Sequence, residues 1–324
     1  MRAVIAADGG NSKTDLVVAD LDGQVLARVA ARGTRSHRDG MAATMSELDQ
    51  LSRTALARAG LTVDDVAVGA FYLANIDLPD DERHAAEVLA QHRLAAEIIV
   101  RNDVFAVLRA GTVRGWGVGV TAGAGINGVG VGPDGEVARF LSLGDFTGDW
   151  GGGFSVGVAG LGAAIRAGDG RGPDTKLREL IAAQYGLPDV ESVAVAVHRH
   201  QLSYSGLLTL APVVFGCAGD GDEVSIEIVQ RLGVEVATMA TAALRRLRLL
   251  DSDADVVLGG GTLQSGSPIL LDAIRANLLA AAPGAQLRVL NVAPVTGPLI
   301  EALTQAGATP DAVDRGRAEL RSGH

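Results

Sequence analysis

The stretch AVIAADGGNSKTD, residues Ala3–Asp15, decides the fold of this chain. Its short apolar run predicts a buried strand, because it ends at the turn residues Asp8-Gly9-Gly10. A second apolar run over residues 16–19 and a third strand over residues 24–31 follow it. Glycines let the backbone approach an anion closely, and successive N–H groups form an anion-binding nest. The turn therefore predicts a phosphate site, at which Asp8 would act through a divalent cation.

Other readings of this stretch are an ordinary tight hairpin, a P-loop and a dinucleotide-binding turn. A P-loop needs Gly-x-x-x-x-Gly-Lys-Ser/Thr ahead of a helix, whereas here Lys13 follows Ser12. A dinucleotide-binding turn lacks the second strand of this pattern. The hairpin stays open as an alternative until the rest of the chain is considered.

Composition excludes several classes of function. The net charge of −10 is spread without a basic block, which argues against nucleic acid or an anionic membrane as partner. Cys217 is the single cysteine, so one chain can build neither a disulfide nor a Cys-rich zinc or iron–sulfur site. No run reaches eighteen uninterrupted apolar residues. We therefore expect a cytoplasmic protein that binds a small molecule.

The opening pattern occurs twice. A strand over residues 116–121, the turn Ala122–Gly125 and strands over 126–131 and 137–141 repeat it in the second half. We expect lobes over residues 1–111 and 112–307, with a terminal helix over 308–324 joining the first lobe. Further strands are expected over residues 66–74, 98–100, 254–258 and 286–290. Helices are expected over residues 41–59, 80–91, 104–110, 154–167, 174–185, 223–250, 268–281, 296–305 and 311–320.

Polar residues and glycines cluster where these strands end. They are Asp8, Asn75, Asn102, Asp103, Gly123 and Gly259–Gly261. Ligands of open α/β sheets gather at the carboxyl ends of strands, so we expect these residues to share a site. Two glycine turns would bind a polyphosphate, and the third glycine cluster would give a flat surface for the base of a nucleotide.

Asp103 is the expected general base, with an ordinary helix cap as the alternative reading. Asp149 would accept hydrogen bonds from substrate hydroxyls or from the ligands of the metal. Ser36 and His37 follow the first hairpin and could reach the site.

Six motifs in chain order resemble one family. Asp8–Thr14 is similar to the phosphate-1 motif of the BadF/BadG/BcrA/BcrD-type ATPases and N-acetylglucosamine kinases, which belong to the actin/hexokinase/Hsp70 superfamily. The other five resemble its Leu-Ala-Gly-x-Asp-x-Pro segment, catalytic Asp segment, phosphate-2 turn, Gly-Asp-Glu-Gly motif and adenosine motif. They are Leu73–Pro79, Asn102–Ala106, Ala122–Ile126, Gly148–Gly151 and Leu258–Gly261.

The resemblance implies an α/β fold of two ribonuclease-H-like lobes, as in actin-like ATPases, with a duplicated β-β-β-α-β-α core and an interlobe cleft. It implies ATP and Mg²⁺ as cofactors, with Asp8 holding the metal through water. The expected ATP contacts are Gly9, Gly10, Asn11, Ser12, Lys13, Thr14, Thr121, Ala122, Gly123, Gly259, Gly260 and Gly261. The expected substrate contacts are Ser36, His37, Asn75, Asn102, Asp103 and Asp149.

The chain departs from the family pattern at the sugar-facing and phosphate-facing loops. Ala124 and Ile126 replace Thr and Ser, Trp150 replaces Glu, and Thr34–His37 replaces a Ser-Asn pair. Because the chain resembles actinobacterial glucosamine kinases more closely, the expected reaction is the phosphorylation of glucosamine to glucosamine 6-phosphate. A homodimer is the expected assembly. Alternatives are an N-acetylglucosamine kinase, a regulator that binds nucleotide and sugar without efficient catalysis, and an ATPase that drives a partner protein.

Overall fold

The computed structural model describes residues 2–33 and 40–321, which form two compact units. Unit 1 comprises Met1–Gly119 with Leu290–His324, and unit 2 comprises Val120–Val289. These contact-defined units end at other residues than the predicted lobes, whose boundaries stay a prediction. The strands are β1 (Ala3–Gly9), β2 (Lys13–Asp20), β3 (Val25–Arg32), β4 (Val66–Leu73), β5 (Glu97–Asn102), β6 (Gly117–Ala122), β7 (Ile126–Val131), β8 (Val137–Arg139), β9 (Asp255–Gly259) and β10 (Gln286–Val289).

Eleven α-helices lie between and after these strands along the described part of the chain. They are α1 (Met41–Arg58), α2 (Pro79–Ala90), α3 (Val104–Gly111), α4 (Gly152–Gly168), α5 (Leu177–Tyr185), α6 (Val190–His198), α7 (Ala211–Gly219), α8 (Glu223–Arg246), α9 (Pro268–Ala281), α10 (Thr296–Gln305) and α11 (Pro310–Arg321). Among the described residues, none of these helices is long and apolar enough to cross a membrane.

The first sheet has five strands in the order β3-β2-β1-β4-β5. β1 is antiparallel to β2 and parallel to β4, and β4 is parallel to β5. Parallel strands end at the same edge, so the carboxyl ends of β1, β4 and β5 lie side by side. Gly9 is in register with Leu73, and Leu73 with Asn102. This register brings the polar residues that follow the three strands together.

The central strands β1 and β4 are buried on both faces of the first sheet, which explains the unbroken apolar run of β1. Ile5 and Ala7 pack against α1 and α2 through Met45, Leu56 and Leu89. Val4 and Ala6 point to the opposite face, and α10 contacts β1 and β4. Asp8 continues this second alternation, so its side chain projects on the face of Val4 and Ala6 rather than towards α1.

The last two helices belong to unit 1 and fasten α3. A Cβ atom on Gly297 of α10 would lie 2.5 Å from the Ala106 carbonyl oxygen, so this glycine permits close contact with α3. The buried Arg317 guanidinium of α11 donates to the carbonyl oxygens of Ala110 and Thr112 at 2.8 and 3.0 Å. A cation at the carboxyl end of α3 is also favourable for the helix dipole.

The second sheet has five strands in the order β10-β9-β6-β7-β8. β7 and β8 are antiparallel, and β9 and β10 are parallel. The long helix α8 packs along α9, where a Cβ on Gly233 would lie 2.6 Å from the Ala273 side chain. The strand–turn–strand–turn–strand opening of unit 1 is repeated by β6, β7 and β8, as the sequence predicted.

Two helices of unit 2 were not expected from the sequence. α7 is apolar and glycine-containing around its whole circumference, so it lacks the 3.6-residue alternation that indicates a helix. α6 is preceded by Asp189, whose side chain accepts a hydrogen bond from the Ser192 N–H at 2.7 Å. This cap is a readable signal of a helix start that the sequence analysis missed.

Asp222 fixes the start of α8, and its removal should destabilise the protein. Its buried carboxylate accepts from the Ser225 N–H, Ser225 Oγ, Thr175 Oγ1 and Lys176 N–H at 2.8–3.0 Å. Asp222→Ala removes a cap and leaves buried donors unpaired, so we expect a loss of about 3 kcal/mol in the free energy of unfolding. Urea unfolding measures it. The exposed Asp220→Ala is the control, and equal stability of both variants would contradict this role.

Candidate active site

The turn between β1 and β2 is tight and closely packed. The Gly10 N–H donates to the Lys13 carbonyl at 2.9 Å, and Gly9 is paired with Thr14. A Cβ on Gly33, at the end of β3, would lie 2.3 Å from the Asn11 backbone. Glycine at position 33 therefore lets the chain pass directly beside this turn. The Asn75 side chain also donates to Asn11 Oδ1 at 2.9 Å, which joins the turn to the end of β4.

Asn75 has a left-handed backbone, with φ of +64°. Asparagine tolerates this region better than other non-glycine residues, which explains why it can stand where the resembling motif has glycine. The substitution adds a side chain that holds Asn11. Asn75 is therefore placed next to the phosphate-1 motif, and its predicted contact with substrate stays a prediction.

Asp8 lies in a negatively charged environment at the end of β1. It is paired across the sheet with Asp15, so both side chains project on the same face. Burial, followed by the charges of Asp103 and Asp15, raises the pKa of Asp8 well above its usual range. Lys13 opposes this rise, and its ammonium group is 2.8 Å from Asp15. Such excess negative charge is suited to a cation.

Asp103 directly follows β5 and occupies the N-cap position of α3. Its side chain makes no cap hydrogen bond to α3 among the described residues, and its role as base or as cap stays a prediction. The Val104 N–H donates to Asn102 Oδ1 at 3.0 Å. Burial, together with the charge of Asp77, raises the pKa of Asp103 to about 7. A carboxyl group with this pKa can exchange a proton at neutral pH.

In unit 2, the phosphate-2 turn and the adenosine motif pack on each other. Gly260 has φ of +86°, and a Cβ there would lie 2.5 Å from the Ala122 carbonyl oxygen and 2.9 Å from Thr121 Oγ1. Thr262 donates through its N–H to the Ala122 carbonyl and through Oγ1 to that of Gly123. The predicted contacts Thr121–Gly123 and Gly259–Gly261 therefore form one continuous backbone surface.

The same turn also meets the amino end of α4. The N–H groups of Gly153 and Phe154 donate to the carbonyl oxygens of Gly123 and Ala124 at 2.8 and 2.9 Å. A Cβ on Gly152, with φ of +71°, would lie 2.4 Å from the Gly125 carbonyl oxygen. Gly152 thus permits the contact that fixes the turn.

Asp149 lines a cavity of about 280 Å³ within unit 2. One wall is apolar and is formed by Ile126, Phe154 and Leu208, and the Asp145 carboxylate lines the cavity as well. Asp149 accepts a short hydrogen bond from Thr147 Oγ1. Ser142, with φ of +50°, also lines the cavity, and its buried Oγ has no partner among the described residues.

Trp150 follows Asp149 and is covered by Arg231 of α8. The guanidinium carbon lies 4.0 Å from the centre of the indole ring, which is a cation–π contact. Trp150 therefore has a packing role at the position where the resembling motif has Glu.

The structure places the predicted site residues in two groups. In unit 1 it brings together Asp8, Gly9–Thr14, Asn75, Asn102 and Asp103; in unit 2, Asp149, Thr121–Gly123 and Gly259–Gly261 surround one turn. Ser36 and His37 lie outside the described residues. The sequence analysis assigned no role to Asp15, Asp77, Glu82 or Ser142. Asp15 is a charge beside an apolar run and could have been found, whereas Ser142 carries no sequence signal.

Replacement of Asp103 by Asn should stabilise the protein at alkaline pH. The pKa of Asp103 is raised from 3.8 to about 7 in the folded state, so the folded state binds this proton more tightly than the unfolded state does. The resulting contribution to the free energy of unfolding is complete below pH 3.8 and is lost as pH rises through 7. Asp103→Asn removes this cost, so its gain should grow from pH 4 to pH 8 and stay below about 4 kcal/mol. Thermal unfolding without Mg²⁺ or nucleotide, compared at both pH values, measures it. A loss of stability at pH 8 would contradict the raised pKa.

Two known sugar kinases are similar in sequence to this chain. The chain is 25% identical over 265 residues to the N-acetylmuramic acid/N-acetylglucosamine kinase of Clostridium acetobutylicum, covering 82% of this chain and 87% of that protein. It is 25% identical over 312 residues to the N-acetyl-D-glucosamine kinase of Dictyostelium discoideum, covering 92% and 97%.

The fold also agrees with a solved structure. A Chromobacterium violaceum protein described as a candidate N-acetylglucosamine kinase matches with a TM-score of 0.72 and 22% identity, covering 94% of this chain and 99% of that one. This likeness confirms the predicted α/β fold of actin-like ATPases. The profile of the BadF/BadG/BcrA/BcrD ATPase family matches residues 7–302. The chain therefore belongs to the BadF/BadG/BcrA/BcrD ATPase family.

Proposed function

We propose that the protein transfers the γ-phosphoryl group of ATP to a hydroxyl of an amino sugar, with N-acetylglucosamine as the acceptor. The observation that carries this proposal is the Asp103 carboxylate, which lies beside a glycine turn. Its pKa is raised, and its charge is close enough to raise the pKa of Asp8. The names of both curated relatives support the acceptor. Glucosamine, expected from the divergent loops, has less support from these relatives.

Asp103 acts as the general base. A pKa near 7 keeps a substantial fraction of the carboxylate ionised at neutral pH while making it more basic than an ordinary Asp. In phosphoryl transfer the nucleophile loses its proton late, so orientation of the hydroxyl matters as much as basicity. The backbone of Asp103 is held at the end of β4, because its N–H donates to the Leu73 carbonyl at 3.1 Å.

In unit 1, the backbone N–H groups and small side chains of Gly9–Thr14 bind phosphate oxygens. Lys13 adds a positive charge, and its side chain is 59% exposed and can turn to an anion. No group of three or more His, Cys, Asp or Glu side chains among the described residues could hold a metal ion. Asp8 would hold Mg²⁺ through water, because the neighbouring charges of Asp103 and Asp15 favour a cation. When bound, Mg²⁺ would neutralise charge on the phosphates.

In unit 2, Gly259–Gly261 and the Thr121–Gly123 backbone bind nucleotide. Ala124 and Ile126 cannot supply the hydroxyl groups found at those positions in the resembling motif. Thr262 Oγ1, 3.2 Å from the Gly123 carbonyl, lies at the same turn and supplies a hydroxyl of its own. The role of the turn therefore depends on its backbone and on Thr121 and Thr262.

The cavity around Asp149 is the proposed sugar site. Its volume of about 280 Å³ suits a single sugar ring, and Asp149 and Ser142 offer polar contacts for hydroxyls. The apolar wall of Ile126, Phe154 and Leu208 suits the methyl group of an N-acetyl substituent. One observation favours glucosamine as second candidate, because two carboxylates, Asp145 and Asp149, line the cavity and would attract an ammonium group.

A panel of sugars separates these functions. With Mg·ATP, we expect ADP release to depend on N-acetylglucosamine and to exceed that with glucosamine, glucose or no sugar by at least tenfold. Asp103→Asn should lower turnover by about a thousandfold while nucleotide still binds. Preference for glucosamine would select the second candidate. Sugar-independent ADP release would indicate an ATPase, and no turnover with retained sugar binding would indicate a regulator.

Asp149 should act on the sugar rather than on ATP. Asp149→Ala removes an acceptor for substrate hydroxyls, so we expect the KM for the sugar to rise by tenfold or more with the KM for ATP nearly unchanged. Steady-state kinetics with each substrate varied measures both constants. Asp272→Ala, which removes an exposed carboxylate of α9, is the matched control. An equal rise in both KM values would contradict the assignment.

A further inference from the structure

The residue before Asp103 lies at the end of the edge strand β5. Along an edge strand, alternate N–H groups point away from the sheet and need other acceptors. The Asp103 N–H points inward, to the Leu73 carbonyl of β4. The Asn102 N–H instead donates to Glu82 Oε1 of α2 at 2.8 Å. A carboxylate of a neighbouring helix therefore completes the last outward hydrogen bond before the proposed base.

The Asn102 side chain extends this connection in two directions. Its Nδ2 donates to the Ile76 carbonyl at 3.2 Å and to Asp77 Oδ1 at 3.0 Å, both in the segment between β4 and α2. Its Oδ1 accepts from the Val104 N–H at the start of α3. Asn102 is 2% exposed, so these bonds form in a buried place. Asn102 thus links α2, the end of β4 and the start of α3.

We infer that Glu82 is a positioning residue for Asp103 and that it acts through Asn102. The inference rests on the proposed kinase function. It changes the expected role of Asn102, because the amide that was predicted to contact substrate is engaged by Ile76, Asp77 and Val104. Glu82 accepts the Asn102 N–H, one residue before Asp103. It holds the backbone from which the Asp103 side chain projects.

The position of α2 makes Glu82 an effective support. α2 begins at Pro79, two residues after Asp77, and the Leu78 N–H donates to Asp81 Oδ2 at 3.0 Å, which fixes the first turn. Glu82 is one residue further along this turn. The segment before it also carries Asn75, which holds Asn11 of the phosphate-1 turn. The same short segment therefore supports both the base and the phosphate-binding turn, and small shifts of reacting groups reduce rates strongly.

Three variants test the inference by steady-state kinetics with N-acetylglucosamine and ATP. Glu82→Ala removes the acceptor of the Asn102 N–H, so we expect kcat to fall by tenfold or more, with both KM values within threefold of the wild type. Glu82→Gln keeps an acceptor oxygen and should restore kcat to within threefold. Glu87→Ala, an exposed carboxylate of the same helix, should leave kcat unchanged.

The results separate this inference from the proposed function. A wild-type kcat retained by Glu82→Ala, or a rise in KM without a fall in kcat, would overturn the positioning role. Absence of sugar-dependent turnover in the wild type would instead overturn the proposed function. Hydrogen exchange then provides an independent measurement: Glu82→Ala, but not Glu87→Ala, should speed exchange of the Asn102 amide by tenfold or more. Unchanged exchange would overturn the inference in either case.

Discussion

The burial of carboxylates at one edge of the first sheet, together with the repulsion between them, is the main electrostatic constraint on unit 1. Asp8 lies at the end of β1 and Asp103 follows β5. Burial disfavours the charged form of each and raises both pKa values, and the charge of Asp103 adds to the rise at Asp8. Asp15 and Asp77 add to this charge on either side. The surrounding hydrogen bonds of Asn11, Asn75 and Asn102 hold them in place against this repulsion.

Unit 2 is organised differently, around backbone rather than charge. Its central turn has lost two hydroxyl groups relative to the motif it resembles, yet glycines at 152 and 260 bring α4 and the third glycine cluster against it. Close backbone contact of this kind depends on the absence of side chains and not on particular polar atoms. The turn can therefore change its side chains, as at Ala124 and Ile126, without losing its shape.

The sequence predicted the parts of the fold that depend on local patterns. The repeated strand–turn–strand opening follows from apolar runs that end at glycines, and α9, α10 and the starts of α1 and α8 fall where the pattern places them. α7 could not be read in this way, because its sequence is apolar on every side. At the site, strand ends indicated Asp8, Asn102 and Asp103. The roles of Glu82 and Ser142 depend on contacts between residues distant in sequence or on an unpaired hydroxyl, and no local pattern encodes either.

The attachment of α11 to α3 has a consequence for the order in which the chain folds during synthesis. Unit 2 is formed by one continuous segment, whereas unit 1 needs residues 290–321 to complete its buried face. On the ribosome, residues 120–289 are therefore complete before the first sheet receives α10 and α11. Until then β1, β4 and α3 lack the partners that cover them, among them Gly297 and Arg317. The nascent amino-terminal half therefore keeps part of its apolar surface uncovered until residues 290–321 have been synthesised.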